Sequence, residues 1–356
     1  MALQEGNRTP IGIHEFGDRE RFDYIPHREI SSTLERFGID STQHRIAGLY
    51  IRSDGLQSVG VGAVDLSMTQ GHFLPVVVEG DKRPRDVMRG IEQVAAMYQT
   101  ALARAFYAGE LTATDTPHLG AVGNVVFENM IVPAHVYNIG VQAASTHPYT
   151  ARSVIFTGER PITFGSLEIH TSPYEIVTGG TVVDLSPDGN SYRTEQVREI
   201  LTGVGYGEEK MRVDEAAVEG DIVTVRLSLG EHGYAGYKHD GVPFLSEGEI
   251  AEAAAQALVV GGILTSKIKL GMTPLFRGIP SATFYRGVGF PSDLRLQVAM
   301  GEGDGFRGDA NVFCGDKRVA QAIIEGSMIR EGGIDTLMRL RRRQQPNETP
   351  RFPFQG

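Results

Sequence analysis

The chain repeats itself, and this repeat constrains its architecture more than any other feature of the sequence. Four landmarks of the first half recur in the second half at nearly one spacing. The pairs, with their offsets in residues, are VDLSM at 64–68 with VRLSL at 225–229 (161), Pro133 with Pro291 (158), IFTGE at 155–159 with VFCGD at 312–316 (157), and Glu92 with Glu252 (160). A shared offset along the chain indicates a duplicated domain of about 160 residues.

Each copy predicts the same order of elements. In the first half, β-type runs at 46–51 and 59–68 precede a helix predicted to open near Pro84, and about four further strands follow. The predicted helices are apolar on all sides, as expected for helices that other elements cover completely. The fold class is therefore α+β, with each copy a long helix wrapped by an antiparallel sheet. Two such copies are expected to pair sheet edge to sheet edge about a pseudo-twofold axis.

Polar and turn-rich stretches divide the chain into segments. The predicted segments are a flexible N-terminus at 1–21, an N-terminal module at 22–185, a glycine-rich and acidic linker at 186–219, a C-terminal module at 220–333 and a basic, proline-containing tail at 334–356. The tail contains the densest positive cluster, RLRRR at 339–343. This cluster is either a solvated helix end or a surface for an acidic partner.

Composition narrows the functional classes. A net charge of −10 argues against a general nucleic-acid binder, which needs clustered Lys and Arg. Neither a run of eighteen apolar residues nor an apolar leader is visible, so we expect no membrane span and a cytoplasmic location. One cysteine, Cys314, excludes an intrachain disulfide or a cysteine-built zinc site, and it is interpreted as structural.

The stretch SEGEIAEAAAQALVVGGIL at 246–264 is a second strong helix signal. Ser246, with Glu249 three residues later, has the spacing of a capping box. In the apolar run that follows, Glu252 and Gln256 lie four residues apart and therefore on one helical face. A carboxyl and an amide carried into an apolar interior indicate a functional requirement. The alternative is that this face of the helix is exposed to solvent.

Histidine and glutamate recur together in the two halves. His72 in QGHF and His239 in YKHDG each precede a helix, and the helices carry Glu92 and Glu252. A loop histidine beside a buried carboxyl is a common acid–base pair, because burial raises the pKa of the carboxyl and keeps it protonated. The alternative interpretation is a pair of ordinary surface histidines.

Several motifs resemble the FabZ and FabA type of 3-hydroxyacyl-acyl-carrier-protein dehydratases. They are FDYIPHR at 22–28, QGHF at 70–73, a helix with E-x-x-x-Q, GIPSATFYRGVGFPSDLRLQVAM at 278–300 and FRGDANVFCGDKRVAQAIIEGSMI at 306–329. The resemblance covers roughly residues 22–172 and 205–330. The duplication is similar to the double hotdog of polyketide and polyunsaturated fatty acid dehydratases, so the resemblance implies a double-hotdog fold.

The family shares one site between two facing hotdogs. The resemblance therefore assigns His72 as the base, Glu252 as the acid and Gln256 as the residue that orients Glu252. The path from His72 to the first helix, LPVVVEGDKRP, is longer than the family pattern. Backbone N–H groups at the start of the second helix, near Gly248, are candidates for an oxyanion site.

A second pseudo-site follows from the same resemblance. It would contain His239 and Glu92, but YKHDG departs from QGHF, and the position expected to correspond to Gln256 is Ala96. We therefore expect the site with His72 to be the working one.

The resemblance implies dehydration of a 3-hydroxyacyl chain carried on acyl carrier protein or CoA. The phosphopantetheine arm is part of the substrate, and no metal or other cofactor is expected. Alternatives on the same fold are thioester hydrolysis, enoyl isomerisation, and acyl transfer with decarboxylation. A non-catalytic acyl-binding module is the alternative from another class, and the sequence leaves open whether two copies form a homodimer.

Overall fold

The structure is a computed structural model. It describes residues 23–53, 58–64, 73–78, 81–129, 131, 137–146, 149–157, 160–180, 185, 191–204, 206, 211–229, 237–239, 241–268, 272–301 and 305–330. His72, Pro133, the predicted N-terminal segment and the predicted tail lie outside the described residues.

Helices and strands alternate along the chain as α+β elements. The helices are α1 (His27–Arg36), α2 (Gly90–Tyr107), α3 (Thr194–Gly203) and α4 (Glu247–Leu264). The strands of the first half are β1 (Asp23–Pro26), β2 (Ile46–Ser53), β3 (Ser58–Val64), β4 (Phe73–Val78), β5 (Asp81–Met88), β6 (His118–Phe127), β7 (Asn138–Thr146), β8 (Tyr149–Thr157) and β9 (Arg160–His170). Those that follow are β10 (Ile176–Gly179), β11 (Ser191–Tyr192), β12 (Glu215–Glu219), β13 (Ile222–Leu229), β14 (Tyr237–His239), β15 (Val242–Leu245), β16 (Met272–Phe284), β17 (Gly287–Met300), β18 (Phe306–Cys314) and β19 (Lys317–Arg330).

The two halves have the same antiparallel strand order. In the first half the order is β2–β3–β7–β8–β9–β6. In the second half the order is β12–β13–β17–β18–β19–β16. Each sheet wraps its central helix, α2 or α4, most of whose residues are buried. This is the double-hotdog arrangement, and the prediction of the fold class is confirmed.

One strand pair, β6 with β16, joins the two sheets. Val126 lies opposite Gly278, and Ala121 lies opposite Thr283. Adding 157 to the first residue of one pair gives a residue of the other pair, so the pairing maps onto itself when the halves are exchanged. The sheets therefore meet edge to edge about a pseudo-twofold axis, as the sequence predicts.

A hairpin precedes each central helix. β4 pairs with β5 before α2, and β14 pairs with β15 before α4. The last residues of β5 and β15, Met88 and Leu245, lie opposite Ile131 and Val288, again at an offset of 157 residues. The predicted helix start near Pro84 is therefore wrong, because Asp81–Met88 pairs as a strand with the preceding run.

The predicted linker at 186–219 is also wrong. It contains β11, α3 and β12, and β12 forms an edge of the second sheet. Glycine and acidic residues there lie in turns and on exposed faces between these elements. The C-terminal module therefore begins near Ser191 rather than at residue 220.

Two sequence expectations about single residues are met in the structure. Ser246 caps α4, and its Oγ accepts a hydrogen bond from the Glu249 backbone N–H at 3.3 Å. Cys314 ends β18, is buried, and lies 3.5 Å from the Gly179 carbonyl oxygen through its Sγ. Among the described helices, none is both long enough and apolar enough to cross a membrane.

Replacing Gly278 with alanine should weaken the junction between the two sheets. A Cβ at this position would lie 2.4 Å from the Val125 carbonyl oxygen, so the paired backbones would have to move apart. We expect the free energy of unfolding to fall by about 1–3 kcal/mol in urea titrations. Gly203→Ala is the control, because no atom lies within 4 Å of a Cβ there, and it should leave stability equal or higher. Equal stability of the two variants would contradict this view of the junction.

Candidate active site

The N-terminal ends of α2 and α4 meet near the pseudo-twofold axis. A Cβ on Gly248 would lie 3.2 Å from Ile91 Cγ1, so the first turns of the two helices are in contact. Both helices contain 18 residues and begin at residues 90 and 247, an offset of 157 residues. This offset agrees with the strand pairing and sets the correspondence between the two copies.

Two buried ion pairs follow this correspondence. Arg45 Nε lies 2.7 Å from Glu92 Oε2, and Arg212 Nε lies 2.5 Å from Glu249 Oε2. Each pair joins the segment before β2 or β12 to the first turn of its own central helix. Because the pairs occur in both copies, we interpret them as part of the fold.

Two glutamines repeat in the same way. Gln99 Oε1 accepts a hydrogen bond from the Arg45 backbone N–H, and Gln256 Oε1 accepts one from the Arg212 backbone N–H, both at 2.7 Å. Gln256 corresponds to Gln99 and not to Ala96. The shared bond also gives Gln256 a structural role besides its contact with Glu252.

The correspondence corrects the sequence alignment of the glutamates. Glu92 corresponds to Glu249, which is also held by an arginine, and not to Glu252. The residue that corresponds to Glu252 is Ala95. The predicted second pseudo-site therefore has no carboxyl at the position of Glu252, and Glu92 is engaged in the ion pair with Arg45.

Glu252 lies on α4 with 6% of its surface exposed. Gln256 Nε2 donates a hydrogen bond to Glu252 Oε1 at 3.1 Å, as the E-x-x-x-Q spacing predicts. The alternative of a solvent-exposed helix face is excluded, because Gln256 is fully buried. Burial raises the pKa of Glu252 above its ordinary value, and the nearby Arg89 guanidinium opposes this rise.

Arg89 is a residue of the site that the sequence analysis missed. It is the N-cap residue of α2, 4% exposed, and its guanidinium lies between the two central helices. The guanidinium bonds to Glu92 of its own helix and lies 3.5 Å from Glu249 and 3.8 Å from Glu252 across the interface. These three carboxylates raise the pKa of Arg89, although burial alone would lower it.

A local signal could have found Arg89. Helix N-caps favour Ser, Thr, Asp or Asn, and the positive end of the helix dipole repels a cation. The second copy has the expected Ser246 at this position. A buried arginine at an N-cap therefore indicates a requirement from outside its own helix.

Glu247 is a second buried acid that the sequence analysis did not single out. It is the first residue of α4, 3% exposed, and burial raises its pKa to about 7. The Tyr174 ring next to it stacks on His118 with 3.8 Å between ring centroids. The surrounding rings keep water away from this carboxyl, so its neutral form is favoured.

The remaining predicted residues are placed as follows. Gly248 lies in the first turn of α4, where the two helices touch. His239 is the last residue of β14, beside the turn of the hairpin. His72 directly precedes the described part of the β4–β5 hairpin and lies outside the described residues. In the part of the chain that the structure describes, His, Cys, Asp and Glu side chains form no group of three or more suited to a metal ion.

Comparisons with known proteins support the fold. No family model and no curated protein matches the sequence. Solved structures of polyketide synthase dehydratase domains do match. The dehydratase domain from the CurJ module of curacin polyketide synthase has a TM-score of 0.54 at 12% identity over 79% of this chain and 95% of that domain.

Two other solved structures match in the same way. The dehydratase domain of RzxB from Pseudomonas fluorescens has a TM-score of 0.52 at 14% identity, with 76% of this chain and 93% of that chain covered. The bifunctional dehydratase-cyclase domain of ambruticin biosynthesis has a TM-score of 0.52 at 17% identity, with 82% and 97% covered. The chain therefore has the double-hotdog fold of these dehydratase domains.

Replacing Glu92 and Glu252 with glutamine should separate a structural carboxyl from a functional one. Glu92→Gln leaves Arg45 without its buried partner, and we expect a loss of about 3–5 kcal/mol in the free energy of unfolding. Glu252→Gln should cost about 1 kcal/mol or less, because Arg89 retains Glu92 and Glu249. Urea titrations measure both values, and the reverse order of stability would contradict the assignment.

The raised pKa of Glu247 predicts a pH-dependent stability. A carboxyl with a folded-state pKa of about 7 and an ordinary value of 4.5 retains its proton on folding. The stabilisation is complete below pH 4.5 and is lost as pH rises to about 7, an effect of about 3 kcal/mol. Comparing unfolding free energies of wild type and Glu247→Gln across this range isolates the effect. Parallel curves for the two proteins would disprove it.

Proposed function

We propose that this chain dehydrates a 3-hydroxyacyl thioester, carried on acyl carrier protein or CoA, to the trans-2-enoyl thioester. The observation that carries the proposal is the buried carboxyl of Glu252, at a position where the other copy has Ala95. Because the first copy folds around the same helix without this carboxyl, the fold does not require it. The double-hotdog fold shared with dehydratase domains supports the same reaction class.

The proposed reaction is a β-elimination. His72 takes the α-proton, the electrons of that C–H bond form the Cα=Cβ double bond, and the Cβ–O bond breaks. Glu252 gives its proton to the departing hydroxyl, which leaves as water. The N–H groups of the first turn of α4, near Gly248, are proposed to stabilise the negative charge that develops on the thioester oxygen.

The charges around Glu252 favour this proton transfer. Arg45, Arg89 and Arg212 are always protonated, whereas Glu92 and Glu249 supply two negative charges. With Glu252 neutral, this group holds a net positive charge. When Glu252 releases its proton, the charges balance, and Arg89 stabilises the new carboxylate at 3.8 Å. Burial keeps the acid protonated beforehand, and Arg89 makes it a better donor.

The proposed partner is the carrier of the acyl chain. Acyl carrier proteins are acidic in general, so the arginine cluster at 339–343 is a docking candidate, although it lies outside the described residues. Membrane and nucleic-acid partners are not part of the proposal.

Glu252→Gln should abolish hydration of a crotonyl thioester, the reverse of dehydration, by a factor of at least about 100. The amide has the same shape and no acidic proton, so circular dichroism and urea stability should remain close to those of the wild type. His72→Asn should have a similar effect on the rate, since it removes the base. His239→Asn is the matched control and should retain activity, because the second copy has Ala95 in place of the acid. An active Glu252→Gln protein would remove this residue from the proposed role.

A product analysis distinguishes dehydration from related reactions. The protein is incubated with 3-hydroxyacyl, malonyl, saturated acyl and enoyl thioesters, and the products are weighed by mass spectrometry. We expect a loss of 18 mass units from the 3-hydroxyacyl thioester alone, the mass of one water. Hydrolysis, decarboxylation or a shifted double bond would instead favour another double-hotdog chemistry.

A further inference from the structure

The pair of Arg89 and Glu252 breaks the symmetry of the charged group at the helix ends. Arg45 with Glu92 and Arg212 with Glu249 correspond at every step, whereas Arg89 corresponds to Ser246 and Glu252 to Ala95. One unmatched residue comes from each half, and the two meet across the interface at 3.8 Å. A fold that repeats its structural ion pairs does not need this extra pair.

The hydrogen bonds of Arg89 are incomplete. Its Nη2 bonds to Glu92, but Nε and Nη1 have no hydrogen-bond partner among the described residues, although both atoms are buried. The side chain is only 2% exposed, so water at the surface does not satisfy these donors. A buried guanidinium N–H that lacks an acceptor costs free energy, which indicates that an acceptor oxygen occupies this position in a functional complex.

The position of Nη1 selects the oxygen. Nη1 lies 3.8 Å from Glu252 Oε2, which is less than twice a charge-assisted hydrogen-bond length of about 2.8 Å. One oxygen atom can therefore bond to Arg89 and Glu252 together. A hydroxyl meets both requirements, because its lone pairs accept from the guanidinium and from the protonated carboxyl.

We propose that Arg89 is a substrate-binding residue that holds the 3-hydroxyl group of the acyl chain through Nη1, beside the carboxyl of Glu252. This inference rests on the proposed function for its choice of ligand, a 3-hydroxyacyl chain. It adds a specificity determinant: the site selects chains with an oxygen at C3 over saturated chains of the same length. The bond also holds the leaving oxygen against the acid that protonates it.

The test is a binding cycle with unreactive ligands. The ligands are 3-hydroxybutyryl and butyryl pantetheine amides, in which nitrogen replaces the thioester sulfur, and dissociation constants are measured by calorimetry. Wild type should bind the hydroxyl-bearing ligand about tenfold more tightly or better, as for a hydrogen bond to a charged group. Arg89→Gln should reduce this preference to about twofold or less.

Two further variants keep the test decisive. Arg45→Gln removes a buried charge from the same group without touching Glu252, and it should retain the preference for the hydroxyl. Arg89→Lys keeps the charge opposite Glu92 and Glu249 and serves if Arg89→Gln does not fold. Because an ammonium does not reproduce the guanidinium fork, its preference should fall at least about threefold.

The outcomes separate this inference from the proposed function. A wild type that binds both ligands equally or binds neither, or Arg89 variants that keep the full preference, would overturn the role of Arg89. Hydration of a crotonyl thioester by wild type is measured in parallel. An active wild type without an Arg89-dependent preference rejects only this inference, whereas an inactive wild type with that preference rejects only the dehydratase.

Discussion

The antiparallel pairing of β6 with β16 determines where chemistry is possible in this molecule. Because the pairing maps onto itself at an offset of 157 residues, it brings the same part of each copy to one axis. The first turns of α2 and α4 are the parts that meet there, at Ile91 and Gly248. A substrate at this position contacts residues of both copies, so a site can combine groups that neither copy contains alone. Duplication thereby provides two helix ends that are free to diverge.

Burying charged residues at that axis has a cost that the surrounding contacts must offset. Removing an arginine or a glutamate from water costs several kcal/mol, and only close pairing compensates. The repeated pairs Arg45–Glu92 and Arg212–Glu249 meet this condition at 2.7 and 2.5 Å. Arg89 meets it less well, since part of its guanidinium lacks hydrogen bonds. An incompletely satisfied group in an otherwise paired cluster is expected at a functional position and unexpected in a structural one.

The sequence predicts the fold well and the alignment of the two copies less well. Letter matches at 64–68 and at Glu92 suggested offsets of 161 and 160 residues, whereas strand pairing and helix starts agree on 157. Identity of a glutamate was a misleading guide, because Glu92 and Glu252 have different neighbours in space. The hairpin Asp81–Met88 was missed because proline and charged residues are typical of a helix start. Its strand pairing depends on Phe73–Val78, a long-range partner that local propensity does not register.

The candidate site shows which part of a duplicated sequence carries functional information. Gln256 was predicted from its spacing to Glu252, and the structure confirms the contact, yet its repeated counterpart Gln99 shows that the amide also serves the fold. Arg89 was invisible to motif reasoning because its partners, Glu249 and Glu252, are distant in sequence. Both Arg89 and Glu252 lack a counterpart of the same kind in the other copy. In a duplicated fold, the residues that both copies keep maintain the structure, and a buried charged residue that only one copy keeps requires another explanation. A shared ligand oxygen provides that explanation for both residues together.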